Sequence, residues 1–177
     1  AMALVAELTG KGVRAAAFQA NLNDAADRDG LIGRVAGHFG RIDALINNAS
    51  LFRYDTLHTL TEASWGEHLA SNLTAPVFLI RDFAPGVEAA EGQGVVVNIL
   101  DHKIDSPNPD FFAYTAGKVG LAGLTRTLAM GLAPRIRLCG VSPGLILRSG
   151  EQTEAEYEAA WRDTPLGRGA SLEDVAR

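Results

Sequence analysis

Apolar positions along the chain fall into two alternating periods. Short apolar runs occur at Val13–Gln19, Ile42–Ile46, Gly94–Leu100 and Ile136–Val141. Each is bounded by Gly, Asn, Asp or Pro, which predicts strands. Between them the apolar residues recur every three or four positions, which predicts helices. The first, Ala1–Leu8, stops at Gly10 and Gly12, and the second spans Asp24–Phe39 ahead of Gly40. Thr61 caps a long third helix running to about Ala84, with Pro76 as a kink. Phe112–Leu132 is a helix with Gly117, Gly120 and Gly123 along one side. Thr153-x-x-Glu156 is a capping box opening a last amphipathic helix, and Asp174–Arg177 begins a further element. Strands alternating with helices of this length indicate βα units and a parallel sheet, hence an α/β fold in one domain over residues 1–177.

Composition narrows the picture. The 177 residues are 47% hydrophobic and carry a formal net charge of −5. Lys and Arg are scattered, so nothing favours nucleic acid. No apolar run approaches the roughly 20 residues that span a bilayer. The lone Cys139 fits a reducing compartment, so the expected location is cytoplasmic. Its strand pattern predicts a buried, inert thiol. His38, His58, His68 and His102 show no metal-ligand spacing, and no metal is expected.

The chemistry gathers at the strand ends. Tyr114 and Lys118 share a helix face at i and i+4, and Asp101 lies thirteen residues before the tyrosine at the end of an apolar run. A nearby cation stabilises phenolate, so Lys118 is expected to lower the Tyr114 pKa. Residues following strands collect at the carboxyl edge of a parallel sheet, where α/β proteins bind ligands. Asn47, Asp101 and Pro143 all fall there. Taken singly, Asp101 could cap the loop before Pro107, Asn47 and Asn48 could be turn residues, and Phe52 could be a packed aromatic.

In order, the set is Asn47-Asn48-Ala49-Ser50, Asn72, Asp101, Tyr114-x-x-x-Lys118 and Pro143-Gly144. It resembles the short-chain dehydrogenase/reductase family over nearly the whole chain. The resemblance implies a Rossmann-like, doubly wound parallel sheet and a nicotinamide cofactor. It makes Tyr114 the proton donor, has Lys118 hold the nicotinamide ribose, and gives Asn72 a relay water. Asn48, Ala49 and Ser50 would line the cofactor, Pro143 and Gly144 would abut its carboxamide, and Asn21-Leu22 would meet the adenine. The family usually has aspartate where Asn21 stands, and serine where Asp101 stands.

Aspartate at the latter position resembles the pteridine and dihydromonapterin reductases. So do Asn47-Asn48-Ala49-Ser50-Leu51-Phe52 and Thr164-Pro165-Leu166-Gly167, with Tyr157 and Trp161 in the stretch like their substrate lid. The resemblance implies NADPH (NADH as the alternative), a pterin stacked on Phe52 and touching Asp101 and Tyr114, and a homo-oligomer, dimer or tetramer. A carboxylate can pair with the amidine-like face of a pterin better than serine can. Two other readings stand beside this one: a short-chain reductase of another carbonyl or imine, and a non-catalytic remnant. The family's glycine-rich phosphate turn is absent from these residues, and would lie upstream of Ala1. By analogy the strand order is 3-2-1-4-5-6-7, so the expectation is a fragment of a chain of roughly 240 or more residues, lacking the first two strands and the last.

Overall fold

A computed structural model describes residues 1–148 and 152–176. Its sheet holds three parallel strands in the order β1-β2-β3: β1 Ala44–Asn47, β2 Gly94–Ile99 and β3 Ile136–Val141. The helices are α1 Met2–Gly10, α2 Ala25–Asp29, α3 Leu31–Phe39, α4 Glu62–Leu69, α5 Ala75–Ala89, α6 Phe112–Leu132, α7 Glu154–Arg162 and α8 Leu172–Ala176. Arg177, the end of the last predicted element, lies outside the described residues.

Burial follows the strand period. Along β2, Val96 and Asn98 are buried while Val95, Val97 and Ile99 are half-buried. The buried face packs on α5, where Ile80, Phe83, Ala84 and Val87 meet Val96, Ile136 and Leu138. Removing that apolar surface from water is the main stabilising contribution, about 25 cal/mol per Å². Register is strict because a one-residue slip would turn these side chains to the other face. It sets Asn47 opposite Asn98 and Asn98 opposite Gly140.

Several elements differ from the sequence expectation. Val13–Gln19 forms no strand: β1 pairs with β2 alone, and an extended segment without a ladder partner is not part of a sheet. The Asp24–Phe39 helix is two helices, broken at Gly30; Asp24 caps the first by accepting from the Ala26 N–H at 2.9 Å. Asn47 closes β1 rather than following it.

Thr61 caps α4 as expected, in a reciprocal capping box with Ser64. The long helix then runs through a π-helical turn, Ala70–Thr74, before α5 continues to Ala89. Pro76 sits in the first turn of α5. It has no N–H to give to the turn before it, so the local ladder is already interrupted there. Asn72 lies in the middle of that π-helical turn.

Cys139 is exposed, not buried. In β3 the buried positions are Ile136 and Leu138, so the alternation turns Cys139 to the opposite face, toward a cleft.

Candidate active site

Tyr114 and Lys118 lie one turn apart in α6, both buried. The Tyr114 hydroxyl donates to Asp101 Oδ2 at 2.6 Å. The other oxygen, Oδ1, accepts the Lys103 N–H at 2.8 Å and so caps the short 3-10 turn His102–Ile104. Asp101 therefore both caps its loop and holds the phenol. The Lys118 ammonium donates to the Ile99 carbonyl, the last of β2, at 2.7 Å.

This geometry reverses the expected direction at Tyr114. Burial raises the phenol pKa above its ordinary value, and the hydrogen bond and charge of Asp101 raise it further. Lys118 does not offset them, because its ammonium is directed to a strand carbonyl and lies 5.6 Å from the phenol ring centre. Burial lowers the Lys118 pKa, with Asp101 pulling the other way. The phenol stays protonated, with its hydroxyl directed at Asp101.

Asn72 is buried beneath the loop that leaves β1. Its amide oxygen accepts the Leu51 N–H at 2.8 Å and the Ser50 hydroxyl at 3.0 Å, and its NH2 donates to the Leu51 carbonyl at 2.9 Å. It thus fixes Ser50 and Leu51. Helix α6 approaches closely here: a methyl at Gly117 would stand 3.0 Å from the Asn72 Cβ.

Phe52, half exposed, meets Tyr114 edge-on at 4.7 Å between ring centres. It also stacks flat on Phe111, 4.1 Å apart and 4° from parallel. Phe111 precedes α6 in a left-handed conformation, φ 53°. Asp55, buried, accounts for that turn. Its carbonyl accepts the Phe111 N–H at 2.8 Å and its carboxylate accepts the Ala113 N–H at 3.3 Å. A residue 58 positions away in sequence thus caps the helix that carries the phenol. Neither Asp55 nor Phe111 had a local signal, because the cap and the stack are made across the fold.

Asn48, Phe52, Asp101, Pro143 and Gly144 line a cleft of about 1100 Å³ at the carboxyl ends of the strands. That is the size of site that encloses an organic ligand. A Cβ at Gly144 would meet nothing within 4 Å, so this wall is open to close approach. Ala49 and Ser50 are exposed beside it. Asn21 and Leu22 are not among its lining residues. The Asn21 oxygen accepts the Asn23 N–H and the Leu22 carbonyl accepts from Arg28, so both are engaged locally. Tyr157, in α7, is buried against Trp161, 4.8 Å between ring centres. Among the described residues, no group of three His, Cys, Asp or Glu could hold a metal, and no helix is long and apolar enough to cross a membrane.

Comparison with known proteins places this arrangement. Residues 1–159 match the family model for short chain dehydrogenase. Human dehydrogenase/reductase SDR family member 4 is 35% identical over 165 residues, covering 90% of this chain and 59% of that protein. The 3-oxoacyl-acyl-carrier-protein reductase FabG of Staphylococcus aureus is 34% identical, covering 99% of this chain and 72% of that protein. The crystal structure of FolM alternative dihydrofolate reductase 1 from Brucella canis, complexed with NADP, superposes with a TM-score of 0.91 at 37% identity. It covers 97% of this chain and 67% of that one. The chain belongs to the short-chain dehydrogenase family, and it spans 59% of the length of its dehydrogenase/reductase SDR family member 4 relative.

Proposed function

We propose that this chain carries the catalytic part of an NADPH-dependent reductase that acts on a pterin-type substrate. The observation that carries the reading is the Tyr114 hydroxyl held on Asp101 at 2.6 Å with the Phe52 ring against the same phenol. The product of C=N reduction has gained one hydride on carbon and one proton on nitrogen. Tyr114, kept protonated, is the proton donor, and Asp101 orients it and meets the amino and ring-nitrogen face of the substrate. Phe52 offers a flat face to the heterocycle, worth about 0.5–1.5 kcal/mol beyond area burial.

NADPH supplies the hydride when bound. Asn48, Ala49 and Ser50 would border it on one wall, Pro143 and Gly144 on the other, and Lys118 would hold its ribose. Asn72 would support Lys118 and the Ser50–Leu51 loop, and Asn21 with Leu22 would take the adenine end. NADP in the FolM structures supports this choice over NADH. A cytoplasmic enzyme is proposed. A homo-oligomer is proposed too, on the exposed Val119, Leu124 and Met130 of α6.

The test compares turnover of dihydrobiopterin, dihydromonapterin and simple ketones by the full-length protein. Pterins are expected to be preferred, and D101S to lose roughly 100-fold in pterin kcat/KM. Equal pterin reduction by D101S would overturn the assignment. The resemblance to FabG favours a second reading, reduction of a carbonyl substrate with Asp101 not contacting it. Preference for ketones in the same assay would select that one.

A further inference from the structure

Arg28 carries its charge where charge is costly. It is 6% exposed, in the short helix α2. Its Nη1 donates to the Leu22 carbonyl at 3.3 Å, and its Cζ lies 4.9 Å from the centre of the Phe78 ring in α5. Its Nε is 3.7 Å from Asp29 Oδ1 and has no hydrogen-bond partner. Asp29 in turn meets Arg81 at 3.3 Å, and the Arg81 guanidinium lies 4.5 Å from the same Phe78 ring. Arg28 thus ties a backbone carbonyl of the turn Asn21–Asp24 to helix α5.

That turn has no ladder to hold it. No strand forms between Lys11 and Asp24, so the backbone groups there go to side chains. Arg34 donates to the Gln19 carbonyl at 3.3 Å, Asp27 Oδ2 accepts the Asn21 N–H at 3.0 Å, and Asn21 Oδ1 accepts the Asn23 N–H at 3.1 Å. Those bonds are exposed to water. The Arg28 bond is partly buried, and a charged donor holds its acceptor more strongly where water is kept out. Stability does not explain the choice of residue. Burying a guanidinium costs hydration, and an apolar side chain of similar volume in its place is often neutral or stabilising. Methionine would fill the same space against Phe78, but it could not hold the Leu22 carbonyl.

We propose that Arg28 is a positioning residue for the adenine end of the nicotinamide cofactor, acting through Leu22. The proposal rests on the reading of Asn21 and Leu22 as the adenine contact. Residues of an irregular turn bind a ligand well only if their backbone is fixed beforehand; otherwise the cost of ordering them weakens binding. Arg28 draws the Leu22 carbonyl toward α5, while Asn21 stays exposed.

Binding of the two halves of the cofactor to the full-length protein tests this. Phospho-ADP-ribose carries the adenine end and reduced nicotinamide mononucleotide the other. R28M is expected to weaken the first, and NADPH, about tenfold, with the second within about twofold. F78L removes the ring beside the guanidinium and should weaken phospho-ADP-ribose about threefold, with R28M/F78L no weaker than R28M, because both act on one contact. Equal losses at both halves, or phospho-ADP-ribose bound by R28M as tightly as by wild type, overturn the role. Should R28M not fold, unchanged binding by F78L overturns it. Hydrogen exchange of the unliganded protein is a second readout. The amides of Asn21, Asn23 and Asp24 should exchange faster in R28M while those of α5 do not, and unchanged exchange in the turn also overturns the role. N21L separates the underlying reading. If N21L binds phospho-ADP-ribose like wild type, the adenine contact fails and the role of Arg28 with it; if N21L weakens binding and R28M does not, the role of Arg28 alone fails. Substrate plays no part in these measurements, so a failure of the pterin assignment would show separately in the turnover assay.

Discussion

At Tyr114 burial and Asp101 push the phenol pKa in the same direction, upward. The consequence is a pH dependence whose sign is fixed. Above about pH 10 the unfolded chain releases its tyrosine protons. Folded Tyr114 keeps its own, so the folded state binds more protons and stability falls as pH rises from there toward the raised folded value. Below pH 10 both states are protonated and Tyr114 adds no slope. Urea unfolding of wild type and Y114F at about pH 8 and about pH 10.5 should show the difference between them shrinking at the higher pH. Tyrosinate titration by ultraviolet absorbance gives a second check. D101N removes the anion, so its Tyr114 should titrate lower than wild type. No movement would mean that burial alone holds the proton.

Helix α6 depends on residues distant in sequence. Its first turn is capped by Asp55, from the loop that also carries Phe52. Loss of a helix cap costs about 0.5–2 kcal/mol, so D55A should lower urea stability by that much. It should also weaken the Phe52–Phe111 stack, seen as raised KM for a stacked substrate. The loss should be smaller in D55N, whose amide oxygen still accepts. Farther along the same helix, a methyl at Gly117 would press on Asn72 at 3.0 Å. Overpacking of this kind costs about 1–3 kcal/mol. G117A is expected to fall in that range and to lose activity with it, because Asn72 holds the Ser50–Leu51 segment between the cleft residues Asn48 and Phe52. Unchanged stability and kcat would show that the π-helical turn yields freely.

Across the whole molecule, one buried polar chain ties the layers together. Asn47 Nδ2 donates to Asn98 Oδ1 at 2.8 Å, Asn98 Nδ2 to Thr125 Oγ1 at 3.0 Å, and Thr125 Oγ1 to the Leu121 carbonyl at 2.7 Å. It joins β1, β2 and α6, the three elements whose relative placement brings Asn48 and Asp101 to one cleft and sets Tyr114 on Asp101. Removing Asn98 would leave the Asn47 amide without its acceptor, while the Thr125 hydroxyl keeps its bond to the Leu121 carbonyl. A buried polar group so orphaned costs about 1–3 kcal/mol, which puts N98A in that range by urea unfolding. A loss below about 1 kcal/mol would show that the chain is not needed to hold the layers.

Much of this was legible in the residues. Alternation placed β2, β3 and α6, because an uninterrupted apolar period leaves few alternatives. The Thr61 and Thr153 caps were visible because a cap is local. The ordered Asn72, Asp101, Tyr114 and Lys118 pointed to reductase chemistry through their resemblance to the short-chain dehydrogenase/reductase pattern. What the sequence could not decide depends on contacts between distant segments. The face on which Cys139 lies is set by what packs beneath β3. The Tyr114 phenol is pushed up, not down, because Lys118 turns to a strand carbonyl and Asp101 takes the hydroxyl. Spacing alone brought lysine and tyrosine to one helix face; tertiary packing decided which of their neighbours each would meet.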